Sequence, residues 1–182
     1  MRDILRDFKT AISDLVANHN LHRTPGSDPL RALARAHLFV ALNQMDGHAK
    51  GLALQFLYEA NLIGNHVHEG SPPLRPLIAL NGANLVDIVL PRANLAWSHF
   101  VAVDLSRADL RGAYLLCANL SAVDLVDADL TGANLVGANL FLADLTNANF
   151  DGADLTDAKI TPAQLKVARI TETTRLPEIR SA

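Results

Sequence analysis

His19 and His22 stand three residues apart, and His66-Val67-His68-Glu69 sets two imidazoles beside a carboxylate. A structural zinc site needs further Cys, His or carboxylate ligands at short, defined spacings, and none follows here. No metal or cofactor is therefore expected. Cys117 is the one cysteine. It has no sequence-adjacent base, which predicts an inert thiol rather than a nucleophile, and a single cysteine suits a reducing cytoplasm. Phosphate-loop, nucleophile-elbow and dinucleotide fingerprints are absent. An enzyme would need a buried polar cluster built from His37, His48, Glu59 or His66, so the expectation is a protein without catalysis.

The carboxylates are spaced more regularly than the histidines. Asp104, Asp124 and Asp144 lie twenty residues apart, as do Asp109 and Asp129, with Asp127 between. Whether that spacing matters depends on the backbone beneath it. From Leu80 to Ile160 every fifth residue is bulky and apolar, as in Leu110, Leu115, Leu120, Leu125 and Leu130. Two residues before most of them sits alanine, and Asn or Asp stands between. A step of five spirals round a helix and flips face on a continuous strand. The pattern predicts a short extended segment and a corner in each pentad, with the alanine and the leucine both pointing inward. Residues 102–115 and 122–135 match at ten of fourteen positions, more than at shifts of five, ten or fifteen. The deeper period is thus twenty residues, four pentads to a circuit, the mark of a solenoid.

These A-(D/N)-L-x-x units resemble the pentapeptide-repeat family. Seventeen tandem units carry the resemblance, over about half the chain. It implies an all-β right-handed quadrilateral β-helix of about four coils, stacked roughly 4.8 Å apart. Residues 77–160 are assigned to this β-helix, 1–76 to a helical N-terminal cap region and 161–182 to a C-terminal capping helix and tail. An uncapped solenoid end exposes unpaired backbone, which is why caps are expected. The cap region reads as an amphipathic helix over 1–17, a polar loop over 18–27, a second helix from Asp28-Pro29 to about Asp46 with Gly47 as its C-cap, and a third over about 48–62. Pro72, Pro73 and Pro76 then force an extended approach. Thr161-Pro162-Ala163-Gln164 is a capping box that starts a short helix over about 162–168.

On such a solenoid the aspartates stack. Asp104, Asp124 and Asp144 form one acidic ladder, and Asp109 and Asp129 a second, with Asp127 close by. Turn backbone can donate to these side chains, which gives them a structural role. The other role is an acidic stripe offered to a partner. Family members that protect DNA gyrase are held to imitate duplex DNA in this way, so the resemblance makes a type II topoisomerase a candidate partner. Arg92, Arg107 and Arg111 interrupt the stripe. Outward apolar residues make a second candidate surface: Trp97, Tyr114, Leu116, Cys117 and Val136 on one side, Val101, Phe141 and Leu142 on the next. A homodimer contact, docked N-terminal helices or a separate protein partner would each use them. The net charge of −3 gives no reason to expect direct nucleic-acid binding, and no apolar run approaches the ~18 residues of a membrane span.

Overall fold

A tight turn closes every pentad of the repeat region. In the computed structural model, which describes residues 3–24, 28–63 and 76–178, every fifth residue from Gly82 to Asp157 has φ between 53° and 75°. The inward leucine accepts a hydrogen bond from the N–H three residues on, as in Ala113 N–H to Leu110 O at 3.0 Å and Ala133 N–H to Leu130 O at 2.9 Å. Positive φ at the second central residue alone defines a type II turn. Pro91 sits at the first central position, where a fixed negative φ fits.

Between turns, one residue per pentad pairs with its counterpart twenty positions on. Four ladders of parallel bridges result: Asn84–Asp104–Asp124–Asp144, Val89–Asp109–Asp129–Asn149, Asn94–Tyr114–Asn134–Asp154 and His99–Asn119–Asn139–Lys159. The chain therefore winds in four-sided coils of twenty residues. Each side is too short for a long strand, so the sheet consists of isolated bridges. The bulky positions fill the interior: Leu110, Leu130, Phe100 and Phe150 are each at most 1% exposed. Leu110 and Leu130 stack in register, because Asp109 pairs with Asp129 and Leu110 N–H donates to Asp129 O at 2.8 Å. Ser98 replaces one inward alanine, and its buried hydroxyl is satisfied by Leu95 O at 2.6 Å.

Among the described residues before the coils are the α-helices α1 (Ile4–Ala17), α2 (Pro29–Leu42) and α3 (Gly47–Glu59). Phe8, Ile12 and Leu15 of α1 are buried with Leu38 and Leu42 of α2 and Leu54 and Leu57 of α3 in one apolar cluster, continuous with the solenoid interior. Two expectations need correcting. The loop over 18–27 contains a 3₁₀ turn, Leu21–Arg23, because Leu21 buries itself completely. Gly47 does not end α2, which stops at Leu42; it opens α3 behind the N-cap Asp46, whose carboxylate accepts from Ala49 N–H.

The reason for Gly47 is the way α3 meets the first coil. A Cβ on Gly47 would lie 1.9 Å from Asp87 O, and one on Gly51 would lie 2.1 Å from Val89 O. The two glycines let the helix backbone touch the coil backbone. In lower coils the residue pairing at position 109 donates to Ile88 O of the coil above. Val89 donates to Gly47 O of α3 instead, at 3.0 Å. Lys50 Nζ donates to Val86 O at 2.9 Å, and Tyr58 OH to Ala96 O at 3.1 Å. Helix α3 thus supplies some of the partners that a preceding coil would have supplied, an acceptor for Val89 N–H and donors for Val86 O and Ala96 O.

The far end uses the same device. Helix α4 (Pro162–Val167) begins with the expected capping box: Thr161 Oγ1 accepts from Gln164 N–H, and Gln164 Oε1 accepts from Thr161 N–H. Gln164 Nε2 also donates to Leu140 O at 2.7 Å and Ala143 O at 2.9 Å. Pairing continues past 160, since Arg169 bridges to Asn149 and Arg175 to Asp154. The tail is therefore part of an incomplete fifth coil, with α4 in place of one side. Thr174 is buried there and donates to Phe150 O at 2.8 Å.

Candidate interaction site

The ladder residues sit one position before the inward leucine, where a side chain points out and can reach back to the turn. Asp124 Oδ1 accepts Val126 N–H at 2.9 Å, Asp129 Oδ1 accepts Thr131 N–H at 3.0 Å and Asp144 Oδ1 accepts Thr146 N–H at 3.0 Å. Asn134 does the same for Val136 at 3.1 Å. A hydroxyl two residues on often adds a second bond, as in Ser106 to Asp104 and Thr131 to Asp129, both 2.5 Å. Each Asp or Asn therefore clasps its own corner. One oxygen of each of these aspartates is committed to the fold before any partner arrives.

Cations cut the second acidic ladder. Arg111 forks onto Asp109 at 2.8 and 2.7 Å and reaches Asp129 at 3.9 Å. Arg107 forks onto Asp87, one coil above, at 2.8 and 3.0 Å. The Arg111 hydrogen bonds hold the Asp109 carboxyl below its ordinary pKa, and the Arg107 hydrogen bonds do so for Asp87. Thr146 lowers Asp144, Thr156 lowers Asp154 ahead of Arg175, and Thr171 with Thr173 lowers Asp151. Among the described residues Asp104, Asp124 and Asp144 make no ion pair with Lys or Arg. Asp127 is exposed at a corner beside them.

The outward apolar residues divide into three groups. Trp97 N–H donates to Leu116 O and Cys117 N–H to Val136 O, so Trp97, Leu116, Cys117 and Val136 run down one corner of three successive coils. Tyr114 stands on the adjoining flat side, between Asn94 and Asn134. Trp97 is 45% exposed and Tyr114 41%. Phe141 and Leu142 form a second group on the fourth coil, 58% and 71% exposed. Val101 shares a column with Phe141 but is two coils away, with Ser121 between, so the expected second side is not one patch. The helices leave the Trp97 corner open because α3 takes the end of the solenoid.

The positive-φ corner position was not read from the sequence, though a signal was there. Its residues include Gly, Asp, Asn, Arg and Ala but no Val, Ile, Thr or Pro, while the position before it holds Val86, Pro91, Val101, Val126, Thr131, Val136, Thr146 and Thr156. Trp97, Cys117, Asp127 and Leu142 all occupy this left-handed corner. The exposure of Trp97, Asp127 and Leu142 follows from the turn, and Cys117 there is half-buried.

Among the described residues the reactive groups do not assemble. His37, His48 and Glu59 are exposed, and Glu59 accepts from Gln55 Nε2 at 2.9 Å. His66, His68 and Glu69 lie outside the described residues. Among the described residues no group of three His, Cys, Asp or Glu side chains could hold a metal ion, and no helix is long and apolar enough to cross a membrane.

A solenoid of four-sided, twenty-residue coils capped by helices defines a repeat-protein scaffold. Eight pentapeptide-repeat copies match residues 90–125, 104–140 and 124–161. The chain is similar to alr5209, a pentapeptide repeat protein from Nostoc PCC 7120, at 36% identity over 55% of this chain and 78% of that one, with a TM-score of 0.44. It is similar to HetL, a pentapeptide repeat protein involved in heterocyst differentiation regulation in the same cyanobacterium, at 38% identity over 43% and 33%, TM-score 0.34. QnrB1, a plasmid-mediated fluoroquinolone resistance protein, is 16% identical over 54% and 60%, TM-score 0.30. No curated protein matches. The repeat match and the identity to alr5209 place this chain in the pentapeptide-repeat family.

Proposed function

We propose that this protein is a non-catalytic interaction scaffold, wound right-handed as the family implies, that binds a protein partner in the cytoplasm. The observation that carries the reading is the corner of Trp97, Leu116 and Val136 with Tyr114 beside it. These side chains stand outward on a backbone fixed by paired coils, and an aromatic cluster held rigid is the usual anchor of a protein interface. The partner is a second copy of the chain or another protein. Light scattering on the eluting full chain and capture from the source cell separate the two. Trp97→Lys with Leu116→Lys is expected to abolish whichever complex forms while leaving the circular dichroism unchanged. A complex of undiminished affinity in the double variant would refute the assignment.

The unpaired column Asp104, Asp124 and Asp144 supports a second reading, a DNA-mimicking modulator of DNA gyrase or another type II topoisomerase. A supercoiling assay tests it. Inhibition or protection by the protein at micromolar concentration, lost on Asp124→Lys, is the expected outcome; no effect of the unaltered protein removes the reading.

A further inference from the structure

Between α2 and the start of the solenoid lies an open cleft of about 610 Å³. Asp28, Arg31 and Arg35 of the α2 face line one wall, and Leu77, His99 and Val101 contribute to the other. Two like charges at i and i+4 on a helix repel and are normally relieved by a carboxylate neighbour. Here neither arginine makes an ion pair among the described residues. Both are fixed instead by neutral groups. Arg31 donates to Thr24 O at 2.6 Å and Thr24 Oγ1 at 3.2 Å. Arg35 donates to Asn81 O at 2.6 Å, and its guanidinium lies 4.7 Å from the centre of the Phe39 ring. Those bonds use Nε and one terminal nitrogen of Arg31 and one terminal nitrogen of Arg35, so each keeps N–H groups to offer.

Two further features fit an anion. The cleft lies at the N-terminal end of the fourteen-residue α2, the positive end of the helix dipole. Among the described residues one carboxylate lines the cleft, Asp28, and its Oδ1 is already bonded to Leu30 N–H at 2.8 Å. His99, which lines the cleft, occupies a position that is Asn in the two coils below. The local charge thus runs against a chain whose net charge is −3. The remaining lining is largely apolar, including Leu77 and Val101, and the volume lies within the ~300–1,000 Å³ of small-molecule sites.

We infer that this cleft binds a small organic anion, a phosphate or carboxylate head held by Arg31 and Arg35 with an apolar body against Leu77 and Val101. The inference is independent of the interaction corner, which lies on another part of the solenoid.

The experiment is a titration of the full isotope-labelled chain, followed by amide NMR shifts and calorimetry. The probes are phenyl phosphate, benzoate, inorganic phosphate and benzyl alcohol. Phenyl phosphate or benzoate is expected to saturate, with shifts at residues 31, 35, 99 and 101, and benzyl alcohol is not. Arg31→Met and Arg35→Met are each expected to weaken binding on the order of tenfold or more, the loss of one charge-assisted hydrogen bond. Asp28→Asn keeps the helix cap and removes the opposing charge, so it is expected to tighten binding. Val101→Trp fills the cleft, touches no charge and is expected to abolish binding with unchanged circular dichroism. No saturation by any anionic probe below about 10 mM, or unchanged affinity in folded Arg31→Met and Arg35→Met, overturns the inference. Inorganic phosphate binding as tightly as phenyl phosphate would overturn the apolar half of it.

Discussion

Leu142 is an exposed leucine in a left-handed conformation, with φ 60°. A side chain there costs roughly 1–2 kcal/mol of backbone strain, and this one recovers little by burial. Leu142→Gly is expected to stabilise the fold by about 1 kcal/mol in urea unfolding, net of glycine's greater chain entropy. Gly132 isolates the same effect with the opposite sign. It has φ 66° and nothing within 4 Å of an added Cβ, so Gly132→Ala should cost about 1 kcal/mol through the backbone alone. Inside the coil the limit is volume. Ala93, Ala113, Ala133 and Ala153 fill one inward column, whereas Val103 and Val123 share another. Ala133→Leu therefore meets alanine-sized space above and below, and should cost roughly 1–3 kcal/mol or more by overpacking.

At the scale of elements, the two caps matter because they give hydrogen-bond partners to backbone groups of the end coils. Gly51→Ala would put a Cβ 2.1 Å from Val89 O. Backbone lies on both sides of that contact, so α3 must lift from the first coil. The expected result is hydrogen exchange accelerated at Val89 and Leu90, with exchange at the third and fourth coils unchanged. Equal protection throughout would show that α3 is not the cap. The repeats were legible in the sequence because one residue in five faces one interior, and no helix or strand shares that period. The C-terminal capping box was legible because its four residues satisfy each other locally. The cap mechanism was not. Gly47 and Gly51 look like helix punctuation until the coil they touch is in place, and Lys50 looks like a surface charge although it is 8% exposed. Likewise the apolar outward residues could be assigned to sides, but only the turn geometry shows that Trp97, Leu116 and Val136 share a corner of successive coils while Val101 and Phe141 lie two coils apart.

At the scale of the whole molecule, the carboxylates link stability to pH. Asp87, Asp109, Asp144, Asp151 and Asp154 are all held below the ordinary value of 3.8. As pH falls the unfolded chain takes up protons first, so the stability these groups give is full above the ordinary carboxylate range and is lost as pH drops through their lowered folded values. Melting followed by circular dichroism should be flat from pH 8 to 6 and fall below about pH 5. Asp154→Asn keeps the turn acceptor without the titration and should make that fall shallower. Every interface, ladder and cleft described above depends on coils of twenty residues stacked in register. Disulfide trapping in a Cys117→Ala background tests that register most directly. Asn119→Cys with Asn139→Cys places two thiols on bridged neighbours, within the ~4.4–6.8 Å Cα separation that a disulfide spans. Asn119→Cys with Asn134→Cys places them fifteen residues apart, on different sides. The predicted result is rapid intramolecular crosslinking of the first pair and none of the second; crosslinking of the second pair in preference to the first would contradict the fold and everything drawn from it.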